Sequence, residues 1–445
     1  MTSSNETTTG FTRRSVVVGL GAAATLAACG GGKTATDAAN PGGATQGTFS
    51  GKYEGPPVTL SYWNGFTGGD GPFMKQLVQK FMQENPNIKV GENTVQWGEY
   101  YQRVPAAVQA GKGPDVGAMH LDQLATNAAR GVIVPLDDVA SALGLAETDF
   151  TAEVWQAGLY KEKRYGIPLD VHSLAAYYNS DLLTAAGIKE PPTDKASFEA
   201  AMKAYQGKGQ QNPFWMPTRW PAHLMFLSLL WQNGGEPYEK DGSKATFDSE
   251  AGVAALQWMV DQVKNGISPA NVAIDSQYVA FKGKKVPTTW DGIWQINDLK
   301  TNNIPFKLSF IPKIGDQQLS WANSHNFYIT KQATADQNKL QASKVFIDWI
   351  SKHSAEWAGA GMVPARKSIR ESAEVQNSPQ GPIAKQIENL RFLPPVPGLG
   401  DVQAQTLEIA VANAVLGKQD PATALKEQAA KATKLMEDNK KKFGA

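Results

Sequence analysis

Between Pro57 and Gly131 the apolar residues follow two alternating rhythms. Val58-Thr59-Leu60-Ser61-Tyr62-Trp63 has the composition of a strand. A Gly-rich turn from Asn64 to Gly71 leads to Pro72, whose fixed φ and missing N–H suit the first turn of a helix. Phe73, Met74, Leu77, Val78 and Phe81 then recur at helical spacing, and Asn85-Pro86 ends the run. Residues 88–95 predict a returning strand, 100–110 a second helix and 115–119 a short buried strand. A third helix is expected over 121–130, stopped by Gly131. Alternation of this kind predicts an α/β domain with a largely parallel sheet.

Further on, residues 165–168 and 174–178 predict strands that bracket Asp170 and His172. Past Pro191-Pro192-Thr193 helical spacing dominates, over 197–206, 222–233, 250–265, 276–281 and 340–351. Short strands interrupt it at 286–289, at 307–311 and within 321–330. The stretch 402–416 follows, and Asp420-Pro421 opens a last helix as N-cap and first helical residue. Lys440-Lys441-Lys442 suits its C-terminal end, where the helix dipole favours cations. The chain shows no internal repeat.

With 445 residues the chain suits two domains of ordinary size. Its 43 basic and 42 acidic residues nearly cancel, which argues against nucleic acid or an anionic membrane surface as a global partner. The lone cysteine, Cys29, rules out an internal disulfide framework. Its position is informative. Arg13-Arg14 precedes an apolar run from Val16 to Ala28 of about 13 residues, too short to span a bilayer. The run ends Leu26-Ala27-Ala28-Cys29-Gly30, similar to the lipobox of bacterial lipoproteins. Residues 1–28 are therefore expected to be a Tat-like signal peptide, although Sec substrates also carry paired arginines. Cys29 is expected to carry the lipid, and residues 29–56, rich in Gly, Ala, Thr, Asn and Pro, to form a flexible tether.

Several blocks, taken in order, resemble the family 1 extracellular solute-binding proteins of ABC importers, the group that contains maltose-binding protein. They include Tyr62-Trp63-Asn64-Gly65-Phe66, Asn85-Pro86-Asn87-Ile88, Gly113-Pro114-Asp115-Val116 and Pro135-Leu136-Asp137-Asp138. Tyr165-Gly166-Ile167-Pro168-Leu169-Asp170, Tyr177-Tyr178-Asn179-Ser180, Trp231-Gln232-Asn233-Gly234-Gly235, Gly292-Ile293-Trp294 and Val363-Pro364-Ala365-Arg366 continue the series. Trp290-Asp291 and the segment 321–326 depart from the family pattern. The resemblance implies an α/β, two-lobe periplasmic-binding-protein-like fold of type II, each lobe a mostly parallel sheet with flanking helices. It implies three hinge crossovers, near 175–177, 326–328 and 363–366. Lobe one would be 58–175 plus 327–363, and lobe two 177–326 plus 366–445. It further implies a monomer at the extracytoplasmic face of the membrane, delivering a solute to ABC transporter permease subunits, with no cofactor and no catalysis.

A sugar needs flat apolar surface for its C–H face and amides, acids or imidazoles for its hydroxyls. The 12 tryptophans supply the first kind of group. Candidates at the inferred strand ends and crossings are Trp63, Asn64, Phe66, His120, Asp122, Asp170, His172, Arg219, Trp220, Trp290, Asp291, Trp294, Ser324, His325, Asn326 and Arg366. Trp231, Trp258 and Trp349 lie on helix faces and are expected in the core. A glycerol-phosphate-type anion is the competing ligand, through Arg219, His172 and His325. A secreted glycoside-acting enzyme needs only two placed carboxylates and remains a third reading. No His pair at i, i+4, cysteine cluster, Gly-x-Ser-x-Gly elbow or P-loop occurs, so no metal ligands are expected.

Overall fold

The computed structural model describes residues 49–444. The leader, Cys29 and most of the tether lie outside the described residues. The end of the expected tether is not free: Phe49 and Tyr53 pack on the core, and the Tyr53 hydroxyl donates to the Pro56 carbonyl at 2.8 Å.

Among the described residues thirteen strands form in order: β1 (Val58–Asn64), β2 (Ile88–Thr94), β3 (Val116–His120), the β4–β5 hairpin (Leu159–Tyr160 and Lys163–Arg164), β6 (Ile167–Pro168), β7 (Asp170–Asn179), β8 (Thr288–Gly292), β9 (Phe306–Ser309), β10 (Ser320–Asn323), β11 (His325–Ile329), β12 (Val363–Pro364) and β13 (Leu390–Arg391). Five of them make a first sheet in the order β2-β1-β3-β11-β6. The helix Gly71–Glu84 packs beside it, burying Met74, Leu77, Val78 and Phe81. Each such side chain contributes roughly 1.5–3 kcal/mol when removed from water. Gln337–Lys352 covers the same sheet, with Phe346 against Tyr62 and Phe81.

The second sheet is built on β7, whose ten residues are all buried. β12, β10, β8 and β9 all pair with it antiparallel, and β13 runs parallel to β10. The helix Ala222–Gln232 packs on β10 and is buried at every position, so it has no polar face at all. Glu250–Lys264, Leu407–Val415 and Pro421–Phe443 surround it. Trp231 and Trp258 sit in this core as expected, whereas Trp349 is half-buried and donates its indole N–H to Glu84.

Two expectations need correction. Parallel pairing holds for β2-β1-β3 and for β10 with β13 only; β11 joins β3 antiparallel, and β7 has only antiparallel neighbours. A helical crossover enforces parallel pairing only when the chain returns to the same sheet, and here it changes sheet. The changes also fall earlier than expected. The chain leaves the first sheet at β6 and enters the second at β7, so the first passage is Leu169 rather than 175–177. It returns at Ser324, between β10 and β11, rather than at 326–328. β12 begins within the expected third interval. Leu169 ties these passages together: its N–H donates to the His325 carbonyl at 2.8 Å, and its carbonyl accepts from Ala365 N–H at 3.1 Å.

Candidate functional site

The ends of β3, β7 and β11 converge where the two sheets meet. Each brings one histidine: His120 closes β3, His172 is the third residue of β7, and His325 opens β11. Their ring centroids lie 4.3 Å apart for His172 and His325, 4.7 Å for His120 and His325, and 5.4 Å for His120 and His172.

Asp170 organises them. Its buried carboxylate accepts from the His325 backbone N–H (3.0 Å), His325 Nδ1 (2.8 Å), His172 Nδ1 (3.1 Å) and Trp357 Nε1 (2.7 Å). Burial alone would raise this carboxyl, but the two imidazoles outweigh that and hold it well below the ordinary carboxylate range. An ionised Asp170 accepts only, so both rings present Nδ1–H to it. The Tyr101 hydroxyl lies 2.6 Å from His120 Nδ1 and accepts the His120 backbone N–H at 3.1 Å. Burial, reinforced by the two other imidazoles, keeps His120 far below the usual histidine range. His325 is lowered too, again by burial, which the nearby Asp170 only partly offsets.

Aromatic rings wall this cluster on both sides. From the first sheet, Trp97 stacks on His325 at 5.5 Å and 14° and meets His120 edge-on at 4.4 Å. It opens the helix Trp97–Gln109, whose N-terminus is capped by the Gln96 side chain, accepting from Gly98 and Glu99 N–H. Phe66 packs edge-on to Trp97 and to His325. From the second sheet, Trp294 stands 5.8 Å from His172, with Trp220 and Trp321 at 6.2 and 6.4 Å from it. Both key indoles press on glycine: a Cβ at Gly65 would overlap the Trp97 ring, and one at Gly292 the Trp294 ring. The two walls also touch directly, since Asn297 Nδ2 donates to the Gly69 carbonyl at 2.7 Å.

Of the expected candidates, Phe66, His120, Asp170, His172, Trp294 and His325 come together, with Trp220 beside Trp294 and 39% exposed. Asp122 lies next to this group. Burial pushes its carboxyl up to about 6, against partial relief from Asn323 and Gln123. The rest are placed otherwise. Trp290 is fully buried in the second core, face to face with Trp258 at 5.5 Å and against Phe214 and Phe198. Its neighbour Asp291 is sealed by the Gly292 N–H, Gln277 and Gln295, and burial raises it to about 6. Both stand among the expected ligand contacts, but β8 is buried at every position.

Asn64 is a turn residue, donating to Glu92 and accepting the Phe66 N–H. Trp63 donates to Ser61 Oγ and packs on the smaller cluster around Tyr100 and Val95. Ser324 and Asn326 are buried and bond each other at the passage. Arg366 is held by Ser351 and Asp348, and Arg219 is exposed. Sequence reasoning missed Trp97, Tyr101, Trp321 and Trp357. Trp97 had a signal, because an aromatic just after a parallel strand lies at the same sheet edge as Trp63 and His120.

The surroundings of this site match known proteins along most of the chain. Residues 76–383 match the family model described as bacterial extracellular solute-binding protein. The galactooligosaccharide-binding protein of Bacillus subtilis is 23% identical over 81% of this chain and 86% of its own. Among solved structures, the GacH receptor of Streptomyces glaucescens, determined unliganded and in complex with acarbose, superposes with a TM-score of 0.74 at 23% identity, covering 85% of this chain and 98% of that one. A solute-binding protein of an ABC transporter from Thermotoga lettingae, bound with α-D-tagatose, gives 0.74 at 22% identity over 85% of this chain and 99% of its own. The two-sheet body is the two-lobe α/β fold of these neighbours. A family match spanning well over half of the residues makes this chain a member of the bacterial extracellular solute-binding proteins.

Proposed function

We propose that this protein captures a carbohydrate between its lobes and delivers it to the permease of an ABC importer, held at the extracytoplasmic face by a lipid on Cys29. Lobe one is assigned as 58–168 plus 325–362 and lobe two as 170–323 plus 363–444, following the sheet pairings. The observation that carries the reading is the facing pair of indole walls, Trp97 on one side and Trp294 on the other, with imidazoles and Asp122 between. Flat rings suit the C–H faces of a pyranose, and imidazoles with a carboxyl suit hydroxyls. The saccharide ligands named for the relatives support the same class.

A phosphate-type anion is disfavoured, because Arg366 is engaged by Asp348 and Arg219 stands at the surface. No catalytic role is proposed. Asp170, the most central carboxylate, already accepts four hydrogen bonds and has no capacity to act as acid or base.

A thermal-shift screen of neutral saccharides against glycerol phosphates tests the class. A saccharide at a hundred times its dissociation constant should stabilise the protein by about 2.7 kcal/mol. A phosphate compound winning that screen would overturn the proposal. Against the winning sugar, Trp294→Ala should lose about 2 kcal/mol, the loss typical of a tryptophan at the centre of an interface, or about 30-fold in affinity by calorimetry. Unchanged affinity would remove Trp294 from the site.

A further inference from the structure

We infer that His120, His172 and His325 form a binding site for a divalent transition-metal ion that bridges the two sheets. One nitrogen from each of the three rings lies within 4.8 Å of the chosen nitrogens of the other two. Each ring has its Nδ1 already engaged, by Asp170 for His172 and His325 and by the Tyr101 hydroxyl for His120. Among the described residues no hydrogen bond takes up Nε2 of any of the three. Metal-ligating histidines show this pattern, in which a hydrogen-bond partner fixes the ring through one nitrogen and leaves the other available to an ion.

The donor set selects the ion. Three imidazoles suit zinc, nickel, cobalt or copper, whereas calcium and magnesium require oxygen ligands. Nitrogen–metal bonds of about 2.0–2.1 Å put the nitrogens of a tetrahedral site roughly 3.3 Å apart. The rings must therefore close in by about 1.5 Å from their present limit, within reach of small side-chain rotations. The fourth position would fall to water or to an oxygen of a bound solute. His120 and His325 belong to the first sheet and His172 to the second, so the ion would hold the two lobes at one angle. Asp170 supplies a negative charge directly behind two of the ligands. The inference stands apart from the carbohydrate reading, because it concerns the imidazoles and needs no saccharide.

The test uses the full chain, stripped with a chelator and titrated with cobalt(II) and zinc(II) in the absence of sugar. One equivalent of cobalt should bind with the strong visible absorption of a four-coordinate nitrogen site, and zinc should displace it with a dissociation constant of about 1 μM or tighter. Calcium and magnesium should produce no change. His120→Gln and His172→Gln should each weaken zinc at least about tenfold. Circular dichroism checks that each variant folds, and the wild-type cobalt spectrum decides the matter if one does not. Absence of one-to-one binding, a six-coordinate spectrum, or zinc affinity unchanged in both folded variants would overturn the site. The sugar screen, run with chelator present, reads the carbohydrate proposal independently of this outcome.

Discussion

Replacing Asp170 with alanine should cost about 3–5 kcal/mol of folding stability, the range for breaking a buried, hydrogen-bonded charge pair. The carboxylate satisfies four donors in a site closed to solvent: the Trp357 indole, the His325 backbone N–H and two imidazoles. Its removal leaves all four without an acceptor, at about 1–3 kcal/mol for each group that stays unsatisfied. Relaxation and entering water keep the total below the simple sum. Asp170→Asn keeps one oxygen but turns an amide N–H₂ against donors, so it should fall between alanine and wild type. Chemical denaturation measures the effect as a shift in midpoint at constant slope. A loss under about 1 kcal/mol would mean that Asp170 is not the organising acceptor.

The pH dependence follows from the sign of the shift. A carboxyl lowered in the native state stabilises fully above its unfolded value and loses that contribution as pH falls through the native one. The difference between wild type and Asp170→Ala should therefore persist from pH 7 down to about pH 4 and close only below that. Asp122 and Asp291 work in the opposite sense. Both are raised to about 6, so what they contribute is present below pH 3.8 and is lost as pH rises through 6.

Trp290→Ala should destabilise the protein by about 3–5 kcal/mol, the usual cost of truncating a large buried aromatic. The ring is fully buried, lies flat on Trp258 at 10° between planes, and fills the space against Phe214 and Phe198. Phe198 and Trp258 belong to the helices Lys195–Gly207 and Glu250–Lys264, and Phe214 is bridged to Thr288 of β8, so none can collapse into the gap without shifting backbone. The folded remainder should bind solute with affinity within about twofold of wild type, since the ring lies behind the wall that Trp294 forms. A variant of normal stability and weakened binding would reverse that placement and return Trp290 to the ligand face.

How far the sequence could be read differed between the two halves. The alternating rhythm of residues 58–130 predicted β1, Gly71–Glu84, β2, Trp97–Gln109, β3 and Leu121–Ala129 in order and nearly to their ends. There, strands are short, helices amphipathic and turns marked by Gly, Pro and Asn, so local chemistry decides. In β7 it does not. Asp170 and His172 interrupted the apolar run and suggested a loop between two strands, but the structure places both inside one continuous strand. A polar residue is tolerated in such a strand because partners from other elements satisfy it, and those partners are distant in sequence. The histidine cluster was illegible for the same reason: positions 120, 172 and 325 carry no shared spacing and meet only through the pairing of β3 with β11 and of β7 with β10. Trp290 and Trp294 show the limit at its sharpest. Four residues apart and alike in local context, one fills a core and the other stands beside His172, and only the covering of β8 separates them.

Leu169 gives the molecule a particular mechanics. Its N–H is tied to the returning passage at His325 and its carbonyl to the third passage at Ala365. Three chain passages laced together at one residue resist sliding and shear, which would break both bonds, but yield to flexing about the line that crosses them. The halves should therefore open along one angular coordinate, like a book on its spine, with the solute-facing walls parting most at the rim and least beside Asp170.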